Sequence, residues 1–381
     1  MPTYDQLSAT TRADIQQGVV QDNLFVEDGL QKLVRYYANE DVFTGGLLMQ
    51  VPYMFDRPIG GASIPGSTRV VVDKPLLAAM AFTEREYIEE VPLNEWELDV
   101  INTGPNAAVS IYDAKMEAAV RAFNTDWNVD AYRHGQTTAT GVGQDLSIHV
   151  NGIDEFTNDG VNPGWMGNWY TTIGGETRNA SAIGNVLNSV PLWGGDQAGG
   201  LGQVNYTILL RGYLQCVQAP DTGLCNKELF TLILAREEPK QRFAQETDAR
   251  IGITGVKVLD AYIHVDKLAP STKYGLQLPS QLYPSSSLGT TNFTTAALTA
   301  AQTAISNYPA STNCSVGEPF FWLRLKDWKF RPSSSPKFRH YFKGPIPSQE
   351  APDLEVMFYR EALNWYTPSP RDNKQIVGLG A

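Results

Sequence analysis

The residues best able to bind a metal or move a proton near neutral pH are His134, His149, His264 and His340. They lie far apart, with no acid or thiol beside them at ligand spacing, so each reads as a surface or helix-capping residue. His134 falls near the expected end of a helix, where the helix dipole favours a cation. Cys216, Cys225 and Cys314 are odd in number and lack CxxC spacing, which points to buried free thiols rather than a disulfide framework or a zinc cluster. The motifs GxxxxGK[ST], HExxH, GxSxG and GxGxxG are absent. No catalytic, cofactor-binding or metal-binding residue is therefore expected. The remaining enzymatic arrangement is Trp165, Trp169 and Trp193 with scattered carboxylates lining a glycosidase cleft. Tryptophans in turn-rich segments more often fill cores.

Charge is arranged more tellingly. Between Glu84 and Asp99 stand seven acids (Glu84, Glu86, Glu89, Glu90, Glu95, Glu97, Asp99) against Arg85 alone. Between Arg324 and Lys343 stand seven bases (Arg324, Lys326, Lys329, Arg331, Lys337, Arg339, Lys343) against Asp327 alone. Two separately solvated strand faces would account for both runs. The functional alternative is that the acidic segment of one copy lies across the basic strands of another, with charge complementarity setting the register. It makes Glu84, Glu86, Glu89 and Glu90, and Arg324, Lys326, Lys329, Arg331, Lys337 and Arg339, inter-subunit residues. Reversing Arg324 and Lys326 to Glu should then impair assembly more than folding. The net charge of -11 argues against a surface that grips nucleic acid all over.

These residues need a frame. A chain of 381 residues exceeds the roughly 100–200 of one domain, so two or three units, or one multi-lobed subunit, are expected. With 33 Gly and 23 Pro beside 42% hydrophobic residues, the class is α+β and turn-rich. No apolar run approaches the roughly 20 residues of a membrane span, and the N-terminus lacks a signal-peptide pattern, so the chain is expected in the cytoplasm.

Leu30, Leu33, Val34 and Tyr37 predict a helix within 22–38, closed by Gly45-Gly46. Period two then takes over at Leu47, Met49, Val51, Tyr53 and Phe55, a strand with one apolar face. A Gly/Pro loop over 56–66 and a return run over 76–93 complete an excursion of about fifty residues, too thin to bury that face by itself and so predicted to bury it on a partner. From Asn106 to His134, Tyr112, Met116, Ala119, Val120, Phe123 and Trp127 form one stripe of a long helix, with Glu117 and Arg121 paired on its exposed side. Further on, buried strands are expected at 206–210 and 229–235, a helix at 241–250, a strand at 256–265, a Ser/Thr/Pro-rich insertion at 270–313, and strands at 320–330, 338–342 and 354–366.

This order of elements, with Tyr87-Ile-Glu-Glu-Val-Pro-Leu-Asn94, Asn102-Thr-Gly-Pro-Asn-Ala107, Asn151-Gly-Ile-Asp154 and Pro370-Arg-Asp-Asn-Lys-Gln-Ile-Val-Gly378, resembles the major capsid proteins of tailed bacteriophages. Their fold is shared with encapsulins and the floor domain of herpesvirus capsids. The resemblance covers nearly the whole chain. It implies an N-terminal arm (1–43), an extended β-hairpin E-loop (44–98), a peripheral domain with a long spine helix (99–150), a mixed α/β axial domain (151–319) and C-terminal strands returning to both domains (320–381). It further implies hexamers and pentamers of this subunit closing into an icosahedral shell around double-stranded DNA, without sequence-specific contact or any membrane. A separate scaffolding protein, a portal and a decoration protein are the partners it suggests. The Lys–Asn cross-link of some members is not expected: Lys74 is the sole Lys between Gly45 and Leu98, and Asn364 or Asn373 would have to accept it. An encapsulin-like shell, or a tail, baseplate or receptor-binding protein, are the alternatives.

Overall fold

The computed structural model describes residues 29–46, 48–56, 75–94, 111–132, 150–160, 171–178, 186–194, 202–237, 245–248, 253–269, 318–347 and 354–380. The arm before Gly29, the 270–313 insertion, His134, His149, Cys314, Trp165, Trp169 and Leu47 lie outside them.

In chain order the first elements are α1 (Gly29–Tyr37), β1 (Asn39–Glu40), β2 (Met49–Met54), β3 (Leu77–Phe82), β4 (Arg85–Asn94), α2 (Ile111–Tyr132) and α3 (Ile153–Phe156). Then come β5 (Thr172–Ile173), β6 (Glu176–Thr177), β7 (Leu192–Trp193), β8 (Gly202–Gln203), α4 (Tyr206–Gln215), β9 (Thr222–Cys225) and α5 (Lys227–Glu237). The last are β10 (Gln245–Asp248), β11 (Ile253–Val258), β12 (Ala261–Val265), β13 (Glu318–Leu323), β14 (Lys329–Pro332), β15 (Tyr341–Pro347), β16 (Leu354–Tyr366) and β17 (Lys374–Gly380).

The 22-residue α2 organises the first lobe. Ala119, Phe123 and Trp127 are buried and Val120 partly so, as the stripe requires. A fully buried side chain as large as Phe123 contributes about 1.5–3 kcal/mol on leaving water. They pack on β4 and β16, which pair antiparallel from Leu354↔Asn94 to Leu363↔Arg85. β15 and β14 line the other edge of β16, and β1 runs parallel to β14. Val91, Met357, Tyr359 and Leu363 face the helix. An aromatic chain crosses this core: Phe82 stacks on Tyr366 with centroids 5.5 Å apart, Phe156 meets Trp328 at 5.1 Å, Trp328 meets Trp365 at 4.2 Å, and Trp365 meets Trp127 at 5.6 Å. Edge-to-face and offset pairs of this kind add about 0.5–1.5 kcal/mol each beyond their burial.

An eight-stranded sheet, β10-β11-β12-β9-β13-β17-β7 with β8 beside β17, makes the second lobe. All six residues of β13 are buried because both of its faces are covered. Phe321 and Leu323 join the core of the first lobe, while Phe320 and Trp322 join a second core with α4 and α5. α4 sits so close to β17 that a Cβ on Gly212 would lie 2.7 Å from Ile376 Cδ1.

Several expectations are corrected here. The segments 206–210 and 229–235 are not strands but parts of α4 and α5. Asn205 Oδ1 accepts from Ile208 N–H at 2.9 Å and Asn226 Oδ1 from Leu229 N–H at 2.8 Å, so each run opens with a side-chain cap that commits it to helix. Within 241–250 the described residues 245–248 form β10 rather than a helix, because the open edge of β11 pairs with them from Gln245↔Val256 to Asp248↔Ile253. The strand expected at 256–265 is a hairpin, β11 and β12, turned at Leu259, whose φ of 54° is left-handed. The run 320–330 is divided by a 3-10 turn at Leu325–Asp327, and 338–340 precede β15 instead of belonging to it. The excursion is divided as well: β2 and β3 form a two-stranded hairpin, whereas β4 leaves it for the sheet of β16.

Candidate assembly surfaces

The inner face of the hairpin does not wait for a partner. Met49, Val51 and Tyr53 are buried against this chain's own core, with Phe55 packed at its border. Their support comes from Phe82 on the adjoining strand and from the β5–β6 turn, where Gly174 C=O accepts from Ala81 N–H at 2.8 Å. The residues left exposed have the opposite parity: Leu48 at 45%, Met54 at 60% and Leu77 at 66%. Period two revealed two faces, but choosing between them required knowledge of residues 156, 174 and 366.

The described part of the acidic run, on β4, and the strands β14 and β15 of the basic run lie on opposite edges of β16 in one sheet, and several of their charges are paired within the chain. Glu86 pairs with Arg360 at 2.9 Å and Arg324 with Asp327 at 2.7 Å. Asp41 takes Arg331 with both Nε and Nη2, and Glu40 takes Arg339. Glu86, Arg324, Arg331 and Arg339 thus each have a partner of opposite charge within the chain, and none of these pairs joins the acidic run to the basic one. Lys326, Lys337 and Glu90 are exposed and Lys329 is half-buried. Glu84 is half-buried and its carboxyl is pushed up by burial, against a hydrogen bond with Ser333. Glu89 points at α2, where burial and then the nearby Asp126 raise it to about 8. Beside it, Tyr87 OH donates to Asp130 at 2.9 Å.

On α2 the predicted stripe is placed as expected at Phe123 and Trp127, while Met116 is only half-buried and the side chain of Tyr112 lies outside the described residues. Glu117 and Arg121 form their i,i+4 pair on the exposed side.

Four buried polar nodes were missed. Asp266 Oδ2 accepts from Leu30 N–H at 3.1 Å, Tyr132 OH at 2.8 Å and Asn128 Nδ2 at 3.3 Å, and its Oδ1 from Leu268 N–H at 3.0 Å. Burial pushes its carboxyl up, yet every contact here is a donor, so these partners favour the ionised form. Arg178 is fully buried and donates to the carbonyls of Glu155, Asn158 and Leu187. Asn364 donates to Thr83 C=O at 2.7 Å and Asn151 Oδ1 at 2.8 Å. Asn373 Oδ1 accepts from Arg324 N–H at 3.0 Å and Trp328 Nε1 at 2.9 Å. Both amides are interior fasteners, which removes them as surface cross-link acceptors. Asn151-Gly-Ile-Asp154 and Arg371-Asp-Asn-Lys374, strings noted in the sequence, supply several of these groups.

His264 is buried, against expectation, on β12 inside the eight-stranded sheet. His340 is exposed, with Nδ1 2.8 Å from the buried Glu361. Cys216 and Cys225 are buried free thiols. Among the described residues no cluster of His, Cys, Asp or Glu could hold a metal, and no helix is long and apolar enough to cross a membrane.

No family model matches the chain, and no curated protein matches its sequence. Solved structures do match its fold. The cyanophage A-1(L) capsid subunit aligns with TM-score 0.59 and 10% identity over 95% of this chain and 96% of the other. The SrpI encapsulin from Synechococcus elongatus PCC 7942 aligns with TM-score 0.54 and 7% identity over 100% and 96%. The capsid of a native GTA particle aligns with TM-score 0.52 and 10% identity over 95% of each chain. At such identities the likeness is one of fold, and it extends over almost the entire length: the chain has the capsid-protein fold that phage shells and an encapsulin share.

Proposed function

We propose that the protein is the major capsid protein of a tailed bacteriophage, a virion component whose hexamers and pentamers close into an icosahedral shell around double-stranded DNA. The observation that carries this reading is the end-to-end match to shell subunits, covering 95% of this chain and 96% of the cyanophage subunit. In that frame the β2–β3 hairpin corresponds to the E-loop and α2 to the spine helix. The α2 lobe with β4, β14, β15 and β16 corresponds to the peripheral domain, and the eight-stranded sheet with α4 and α5 to the axial domain. Boundaries near 43, 98, 150 and 319 divide the chain accordingly. β4 belongs with the peripheral sheet, and β13 and β17 return to the axial one. The role is structural and not enzymatic. A scaffolding protein, a portal and a decoration protein are proposed partners.

An encapsulin-like cargo shell is the second reading, favoured by the 100% coverage of this chain in the encapsulin alignment. Light scattering after size exclusion, followed by electron microscopy of the protein expressed with and without a scaffolding gene product, tests both. Closed shells or capsomers are expected. Shells that form without any scaffold and never enclose nuclease-protected duplex DNA would favour the cargo shell, and a monodisperse monomer under every condition would overturn both.

A further inference from the structure

Helix α2 and strand β4 meet through two polar contacts of the same kind that differ in one respect. Asp126 and Asp130 stand four residues apart on the helix, about 6 Å along its axis, and Glu89 and Tyr87 stand two apart on the strand, about 7 Å, so the two pairs fall in step. In each pair the helix offers a carboxyl oxygen and the strand must bring a donor. Tyr87 OH donates to Asp130 at 2.9 Å, and burial, then Asp130 itself, push that phenol well above its ordinary range, so this donor is permanent. Glu89 is hydrogen-bonded to Asp126, and two carboxyl groups make such a bond only while they hold a proton between them. This donor is conditional.

Among the described residues no cation lies against Glu89 to take over when that proton leaves. On β16, Tyr359 stands directly opposite it, but its OH donates to Glu361, which stands opposite Tyr87 and lies 2.8 Å from His340. On β4, Glu90 faces away from α2 and adds like charge, and Arg85 begins the row, opposite Leu363. On α2, Arg121 is paired with Glu117, and Lys115 Nζ donates to Pro92 C=O at 3.0 Å, at the far end of the strand.

We infer that Glu89 and Asp126 form a proton-operated clasp between strand and helix, closed while the pair holds its proton and open once the proton is gone. Burial and then Asp126 raise Glu89 to about 8 from an ordinary 4.5. With the folded value above the unfolded one, the clasp is fully effective below about 4.5, weakens as pH rises and is lost as pH passes about 8. Two carboxylates then face each other beside Phe123, whose ring meets Tyr87 at 5.5 Å and Tyr359 at 5.7 Å, and opening lets water reach that ring. The clasp belongs to the single chain, so its failure leaves the shell reading untouched.

Hydroxyl-radical labelling of the full-length protein, read by mass spectrometry as the ratio of Phe123 to Phe320, tests it. Both rings are buried and Phe320 sits in the other core, so the ratio separates local opening from unfolding of the whole molecule. It should rise about tenfold between about pH 6 and about pH 9, within the limit of about tenfold per pH unit that one released proton sets. It should stay flat in Glu89→Gln, whose amide donates to Asp126 at every pH, and in Asp126→Asn, whose amide donates to an ionised Glu89. A flat ratio in the wild type, the same rise in both variants, or labelling of Phe123 and Phe320 that climbs in step would each overturn the clasp.

Discussion

Asp266 and Glu89 are carboxyl groups withdrawn from water against the C-terminal half of α2, and their neighbours differ completely. Asp266 receives donors from α1, from α2 and from its own loop, so that one side chain ties the N-terminal helix and the long helix to the end of β12. Glu89 meets Asp126, with Glu90 and the Tyr87–Asp130 pair close by, and is held in a form that keeps its proton to about pH 8. Burial alone predicts neither role; the count of donors against acceptors does.

The sharpest way to break this comparison is Asp266→Ala. It strips four donors of their acceptor, and a loss of about 3 kcal/mol or more is expected in urea unfolding. Asp266→Asn keeps one acceptor oxygen and should lose less. A loss below about 1 kcal/mol for the Ala variant would mean that the node is not a fastener.

Arg331→Glu comes next, because Arg331 is mostly buried between Asp41 and the Tyr366 ring. About 1–2 kcal/mol of folding stability should go, since a charge-assisted pair becomes a repulsion. The exposed Lys326→Glu should change folding by less than about 0.5 kcal/mol. If Arg331→Glu instead left folding intact and abolished assembly, the charge would belong to a copy-to-copy contact after all.

Glu89→Gln is smaller and depends on pH. A folded value near 8, above the usual carboxyl range, means that the fold holds a proton the unfolded chain releases, so stability declines as pH rises from about 4.5 to about 8. The substitution should be nearly silent at pH 5 and should raise the thermal midpoint at pH 9. An equal effect at both values would show that Glu89 ionises normally. Smallest is Arg121→Ala, which removes an exposed i,i+4 pair worth about 0.3–0.5 kcal/mol.

What could be read from the sequence follows from how many faces an element buries. α2 has one buried stripe until Trp127, after which its last turns are buried all round, and β16 has a length bounded by prolines; both appear where period and punctuation place them. α4 and α5 were read as strands because their short apolar cores, Leu209 with Tyr213 and Leu229 with Ile233, do not by themselves separate helix from strand. The signals that decide were present, namely Asn205 and Asn226 as caps. The assembly residues are harder. The two faces of β2 differ in sequence only modestly, and their assignment depends on an aromatic chain assembled from Phe82, Phe156, Trp328 and Tyr366. Likewise nothing local marks Asp41 and Glu40 as partners for bases some three hundred residues away.

β13 has a last consequence. Its residues Phe320 to Leu323 are the common wall of two cores, with alternate side chains committed to each. Neither lobe can lose its order while that strand stays dry on both sides, so melting should proceed as a single calorimetric event in which the van't Hoff and measured enthalpies agree. A wall shared in this way couples the two cores, so a side chain lost from either face of β13 should lower the midpoint of that single event.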